Sequence, residues 1–404
     1  LSSWISLLIT VITNYTSIMP TNKPETTPGG ENLLAALISC TTAAAFSATC
    51  TYPFDFIKTQ QQLNNEKVMK KWNIPGNYPN SLAQLYKGGS ALVLGSIVKN
   101  GTRIIAYNWL TQFMSIDSHN GNNNKTTAPR IVIAGVMSGF IETLWLIPFE
   151  NVKITMIQNQ TLANELKRCK NLGYDITGKV THSPLTHHKS TKPIYLRQYV
   201  SPHAYLSSDV IDQYIKQKVR FGGVPIKDKA LESLKFHYNK HPSLTLFGTV
   251  KEMYELKGLR AFTAGTFITF TRQIGISWVW LATYNATRQL IDPHNTNNEW
   301  FGHKHTMIQL VGLHFLSSMA VIMVTQPLDV IKTHLQLKNG NLLYRDSLST
   351  AYKLFLQQGP WALFKGAFPR FLKVLISGGL TATVYEYVER LVDVAGHQKI
   401  FSQE

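Results

Sequence analysis

Charge-poor stretches recur along the chain and alternate with basic, polar ones. Each is about 20 residues long, the length an α-helix needs to cross the hydrocarbon core of a bilayer. The first runs from Leu33 to Phe54 without a charged residue. Read this way, the chain predicts six membrane-spanning helices, over about 32–60, 90–115, 128–158, 266–290, 306–336 and 369–393. Several carry ionisable residues within the span. Helices of that kind belong in a bundle that turns its charges towards a water-filled interior. The expected fold class is therefore an all-α membrane protein built around a central cavity.

A short motif closes three of these runs. YPFDFIK occupies residues 52–58, IPFENVK 147–153 and QPLDVIK 326–332. Each reads Pro, any residue, an acid, two residues, Lys, and internal repetition of this kind decides the architecture before any single element does. Pro53, Pro148 and Pro327 each remove a backbone hydrogen bond and bend their helix. Asp55, Glu150 and Asp329 stand three residues before Lys58, Lys153 and Lys332, so each acid and base share a helix face. If three bent helices converge at one end, each acid meets the next helix's Lys in a ring. Hydrated pairs are individually weak, so such a ring can break and re-form. One copy would read as ordinary helix-end charge; three copies beside three prolines point to a gate.

A second mark follows each loop. LYKGG at 85–89 matches LFKGA at 363–367, and RAFTAG at 260–265 is a degraded middle copy. The three prolines are 95 and 179 positions apart, so the middle repeat carries about 84 extra residues after its first helix. The expected organisation is a lead-in over 1–30, helix-pair repeats over 31–125, 126–295 and 296–396, and a tail over 397–404. A polar insertion occupies about 163–243 of the middle repeat, with 14 Lys or Arg against 6 acids.

Composition then narrows the function. The 404 residues carry a formal net charge of +17, which suits nucleic acid, an anionic membrane surface or anionic solutes. No zinc-finger spacing and no Walker loop is present, and Cys40, Cys50 and Cys169 show no CxxC spacing. Small buried thiols are expected rather than a disulfide framework. Residues 1–18 carry no charge, unlike the basic start of a signal peptide or presequence. They are expected to be an extension, with an interfacial anchor as the alternative. His182, His187, His188 and His203 lie in the polar insertion, where solvated histidines are more common than a metal site; no metal and no cofactor are expected.

The tripled Pro-x-acid-x-x-Lys motif, with its aromatic-basic-Gly mark, resembles the mitochondrial carrier family over about residues 30–160 and 244–393. The resemblance implies a six-helix bundle with threefold pseudosymmetry in the inner mitochondrial membrane, a single central site, and alternating access, usually as an antiporter. It makes the acid–lysine ring a matrix gate and places the basic insertion in the matrix. Gln60 matches the family's glutamine brace, whereas Thr155 and His334 hold the equivalent places elsewhere. The resemblance also implies a monomer, with cardiolipin at Lys87-Gly88 and Lys365-Gly366. The even-numbered helices, GSIVKNGTRIIAYN (95–108), TFTRQIGISWVWLATYN (269–285) and KGAFPRFLKVLISGGLTATVYE (365–386), are most similar to the citrate, or tricarboxylate, carriers.

Lys99 and Arg103, at spacing i, i+4, share one face well inside a span, where charge is expensive and usually functional. Arg272 and Gln273 sit early in the fourth helix, and Arg370 and Lys373 at the start of the sixth. Three helices thus offer cations for a small polyanion, Arg as a planar fork and Lys as a mobile point charge. Arg370 and Lys373 could alternatively snorkel to headgroups. Glu142 is the main acid outside the motifs. Two features depart from the citrate pattern. Trp280 stands where those carriers have a further Arg, which opens the reading to a different acid. The opposite gate retains only Arg288 and Glu386 as a pair of opposite sign, so a cytoplasmic gate that opens easily is expected.

The expected function is exchange of citrate or a related di- or tricarboxylate. The alternatives are a carrier of another organic anion, or a non-transporting membrane protein whose basic loop docks a matrix partner. Nucleic-acid binding is not expected, because a charge-rich loop is more often simply solvated, and an enzyme is not expected, because no nucleophile–base or metal constellation is present in the sequence.

Overall fold

The computed structural model describes residues 30–63, 81–115, 128–172, 201, 203–206, 229–291, 307–340, 344 and 346–397. Among them the ordered elements are helical. Six are long: α1 (Gly30–Leu63), α2 (Gly89–Ser115), α3 (Ala128–Leu172), α6 (Thr266–Ile291), α7 (Met307–Leu335) and α9 (Ala367–His397). Three more run 12 residues each, α4 (Lys229–Lys240), α5 (Leu246–Lys257) and α8 (Ser347–Gln358), and a single helical turn, Leu82–Leu85, precedes α2. The long helices touch in chain order, α1 on α2, α2 on α3, α3 on α6, α6 on α7 and α7 on α9. Finally α9 packs back onto α1, which closes the ring of helices.

The polar residues of these helices are accommodated locally. In α1 the hydroxyls of Thr41, Thr49, Thr51 and Thr59 each donate to the carbonyl four residues earlier, at 2.7–2.8 Å. Thr143 in α3 and Thr325 in α7 do the same. A hydroxyl bonded within its own helix needs no water, so these positions tolerate an apolar setting. They also dilute the hydropathy of the helices. Over Phe315–Leu335, 21 residues of α7 are long and apolar enough by composition alone to cross a membrane; it is the one such span among the described residues.

Burial shows what hydropathy hides. Ser39, Ser47, Thr51, Gln158, Thr325 and Gln326 are buried, while Phe46, Trp109, Trp145, Trp278, Leu316 and Met323 are more than half exposed. A protein that buries polar side chains and turns large apolar ones outward presents a surface suited to lipid or to a partner.

Two boundaries differ from the sequence expectation. Helix α3 does not end near residue 158 but continues to Leu172. Its polar end finds partners: Asn159 donates to Glu252 at 2.8 Å and to the carbonyl of Ser243 at 2.8 Å. The basic insertion is also partly folded, since α4 and residues 201 and 203–206 pack against the body of the protein. Residues 1–29, including the proposed N-terminal extension, and His182, His187 and His188 lie outside the described residues.

Candidate functional site

Pro53, Pro148 and Pro327 lie inside α1, α3 and α7. One turn on, the structure brings the six motif charges together. Lys153 Nζ lies 2.5 Å from Asp55 Oδ2, Lys58 Nζ lies 2.5 Å from Asp329 Oδ2, and Lys332 pairs with Glu150. The pairing is cyclic: the acid of α1 takes the lysine of α3, that of α3 the lysine of α7, and that of α7 the lysine of α1. All six side chains are largely shielded. Desolvation offsets much of the attraction in a buried pair, but removing one partner strands the other and costs about 3–5 kcal/mol.

The loop glycines repeat the same cyclic relation. Gly88, Gly265 and Gly366 have φ of 86°, 73° and 78°, in the left-handed region that disfavours any side chain. A Cβ on Gly88 would lie 3.3 Å from the Lys153 carbonyl, and one on Gly366 3.1 Å from that of Lys58. On Gly265 it would meet Gln336. Helices α2, α6 and α9 therefore each start against the end of a motif helix from another repeat. The neighbouring carbonyls are occupied as well: Tyr52 Oη donates to that of Lys87, and Gln326 Nε2 to that of Lys365 at 2.8 Å.

Two expected substrate residues rest on ring acids. Lys373 Nζ is 2.9 Å from Asp55 Oδ2. Arg272 Nε is 3.0 Å from Asp329 Oδ1, an ion-pair contact without an aligned hydrogen bond. Arg370 donates to Gln326 Oε1 at 3.0 Å and to Thr325 Oγ1 at 2.8 Å, so its guanidinium is held within the bundle and does not snorkel outwards. Gln273 is half-buried on α6 beside Arg272. Lys99 and Arg103 form a second level on α2. Glu142 of α3, itself buried, stands 3.0 Å from Lys99 Nζ and 3.8 Å from Arg103 Nε. The described cations outnumber Glu142, so the net field at this level still favours an anion.

One ring residue escaped the sequence reading. Gln62 Nε2 donates to Asp329 Oδ2 at 3.1 Å, and Gln62 Oε1 accepts from Thr333 Oγ1 at 2.7 Å. Its amide therefore ties α1 to α7 beside the Lys58–Asp329 pair. The usable signal was its place four residues after Lys58, on the same face. Gln60, the residue that the family pattern singles out, is buried on α1. The side chains of Trp280, Arg288 and Glu386 lie outside the described residues, and with them the expected cytoplasmic pair.

The long helices thus form a closed ring, three of them with an internal proline, that pairs charges inside and turns large apolar side chains outward. The chain belongs to the mitochondrial carrier proteins, whose family model matches residues 29–118 and 304–394. It is a transporter of the mitochondrial inner membrane. An uncharacterised mitochondrial carrier of Saccharomyces cerevisiae is 28% identical over 87% of this chain and 93% of its own length. The mitochondrial citrate transporter A of Aspergillus niger is 25% identical over 87% of this chain and 90% of its own. The tricarboxylate transport protein of Saccharomyces cerevisiae is 23% identical over 88% and 94%.

Proposed function

We propose that the protein exchanges a small di- or tricarboxylate, citrate or a close relative, by alternating access through a six-helix, threefold pseudosymmetric bundle. The observation that carries this reading is the gathering of Lys99, Arg103, Arg272, Arg370 and Lys373 on α2, α6 and α9, beside the acid–lysine ring. The names of two relatives, a citrate transporter and a tricarboxylate transport protein, support the same substrate class. The cyclic ion pairs and the three loop glycines support the pseudosymmetry.

The geometry suggests how binding couples to opening. Asp55 shares its carboxylate between Lys153 and Lys373, and Asp329 between Lys58 and Arg272. Substrate carboxylates that recruit Lys373 and Arg272 would withdraw them from the ring acids. Lys99 and Arg103 would hold the other end of the anion, in competition with Glu142. The ring, braced by Gln62, is the matrix gate, and Arg288 with Glu386 is the cytoplasmic one. Cardiolipin at Lys87-Gly88 and Lys365-Gly366 and a monomeric state complete the reading. Exchange assays in preloaded proteoliposomes test it: uptake with citrate, isocitrate, malate or oxoglutarate is expected, and no exchange with any of them would remove this substrate class.

A further inference from the structure

The insertion supplies a short buried segment that turns where the Ala204 N–H donates to the Ser201 carbonyl at 3.2 Å and then runs on through Tyr205 and Leu206, mixing polar and apolar side chains. Ser201, His203, Ala204, Tyr205 and Leu206 are each buried, none more than 9% exposed. Two asparagines grip its backbone. Asn239 of α4 accepts from the Tyr205 N–H at 2.7 Å and donates to the Tyr205 carbonyl at 2.9 Å. Asn339, just past α7, accepts from the Leu206 N–H at 3.2 Å and donates to the Ala204 carbonyl at 2.7 Å. In an extended chain, the polar groups of successive residues point to opposite edges. The two amides therefore occupy both edges of one strand-like segment, and they come from different repeats.

Side chains strengthen the same junction. Ser201 Oγ donates to Glu165 of α3 at 2.5 Å, and Tyr205 Oη to Glu252 of α5 at 2.9 Å. The Tyr205 ring packs under Lys338, whose Nζ is 4.6 Å from the ring centroid. Lys338 is fully buried, 3.4 Å from Glu252 and bonded to Asn159. Its backbone N–H donates to Gln158 Oε1 at 2.9 Å. Lys338 lies six residues beyond ring residue Lys332, and Gln158 and Asn159 lie eight and nine beyond Glu150. The segment thus extends the seam of the Glu150–Lys332 pair towards the insertion side.

We infer that residues 201 and 203–206 act as a strap that fastens the middle repeat to the last one beside the gate, and that this strap must undock for the ring to open. The inference rests on the gate reading above. Opening between α3 and α7 breaks one ion pair at the ring, but it also breaks the Asn339 clamp and the Lys338 contacts. The insertion therefore acts as a built-in restraint on one of the three seams.

Two experiments on the full-length protein test it. Hydrogen exchange in lipid nanodiscs reads the fastening without any transport. Asn339→Ala, and separately Tyr205→Phe, should speed exchange at 158–161 and 204–206 at least several-fold; unchanged protection in both variants overturns the strap. The second experiment uses Ala204→Cys with Asn339→Cys, after Ser has replaced Cys40, Cys50 and Cys169. Oxidation should lower the exchange of citrate or, if citrate is not carried, of the exchanged anion at least about tenfold, and reductant should restore it. Full cross-linking with undiminished exchange overturns the undocking step. Wild-type vesicles that exchange none of the four anions would instead remove the substrate reading, and the hydrogen-exchange arm would still decide whether the seam is fastened.

Discussion

At the level of single residues, the charges divide by what the sequence made visible. The ring acids and lysines were legible because the motif occurs three times and each copy places its acid and base on one face. Lys99 and Arg103 were legible because charge is conspicuous in an apolar run. Their relation to Glu142 was not, because α2 and α3 meet only in the folded bundle, where Glu142 sits 3.0 Å from Lys99. Under the proposed function, Glu142 would compete with substrate for both cations. Glu142→Gln should therefore favour the more highly charged anion, raising the uptake ratio of citrate to malate several-fold in competition assays. A ratio that stays the same would separate Glu142 from the substrate. Gln62→Ala removes the amide that ties α1 to α7 and leaves Asp329 with fewer donors. Faster matrix-side labelling of the interior is the expected result.

Elements show a second division. The long helices were legible within a few residues from their charge-poor runs, because lipid and apolar packing both demand such runs. The end of α3 was not, since a polar helix end looks like a loop until the partners that bury it are known. Glycines mark the starts of α2, α6 and α9. At positive φ an L-residue costs about 1–2 kcal/mol, and at Gly88 and Gly366 a Cβ also meets a backbone carbonyl of the neighbouring motif helix. Gly88→Ala and Gly366→Ala should lower the thermal unfolding temperature more than Gly265→Ala, whose neighbour is the flexible Gln336 side chain. Thermal scans in detergent decide this ordering.

The strap adds a pH dependence at the same scale. Burial, with a smaller contribution from the Lys338 charge, holds His203 down to about 4. Glu165 faces its ring at 3.9 Å. The docked imidazole is neutral, so docking is fully supported above the ordinary histidine value of about 6.5. Docking weakens as pH falls from there towards 4, because the undocked form then takes up a proton that the docked form refuses. Each unit of that shift is worth about 1.4 kcal/mol, so the strap should lose on the order of 3 kcal/mol across this window. Hydrogen-exchange protection factors at 204–206, which correct for the slower intrinsic exchange at lower pH, should fall between pH 6.5 and pH 4.5 in the wild type. His203→Phe, if it docks, should flatten the dependence.

For the molecule as a whole, repetition in sequence became cyclic contact in space: Asp55 to Lys153, Glu150 to Lys332, Asp329 to Lys58. Among the described residues one helix is long and apolar enough to cross a membrane, yet the bundle turns large apolar side chains outward and buries polar ones. The cargo is the part that sequence and contacts reach only through chemistry. The proposed function rests on five cations on three helices, with Glu142 set against two of them. The most direct measurement is counter-exchange of labelled citrate in proteoliposomes that hold wild-type protein or folded Lys99→Ala and Arg103→Ala variants. The account predicts saturable exchange by the wild type and at least about a hundredfold loss in each variant. Exchange of citrate that survives both substitutions would contradict it.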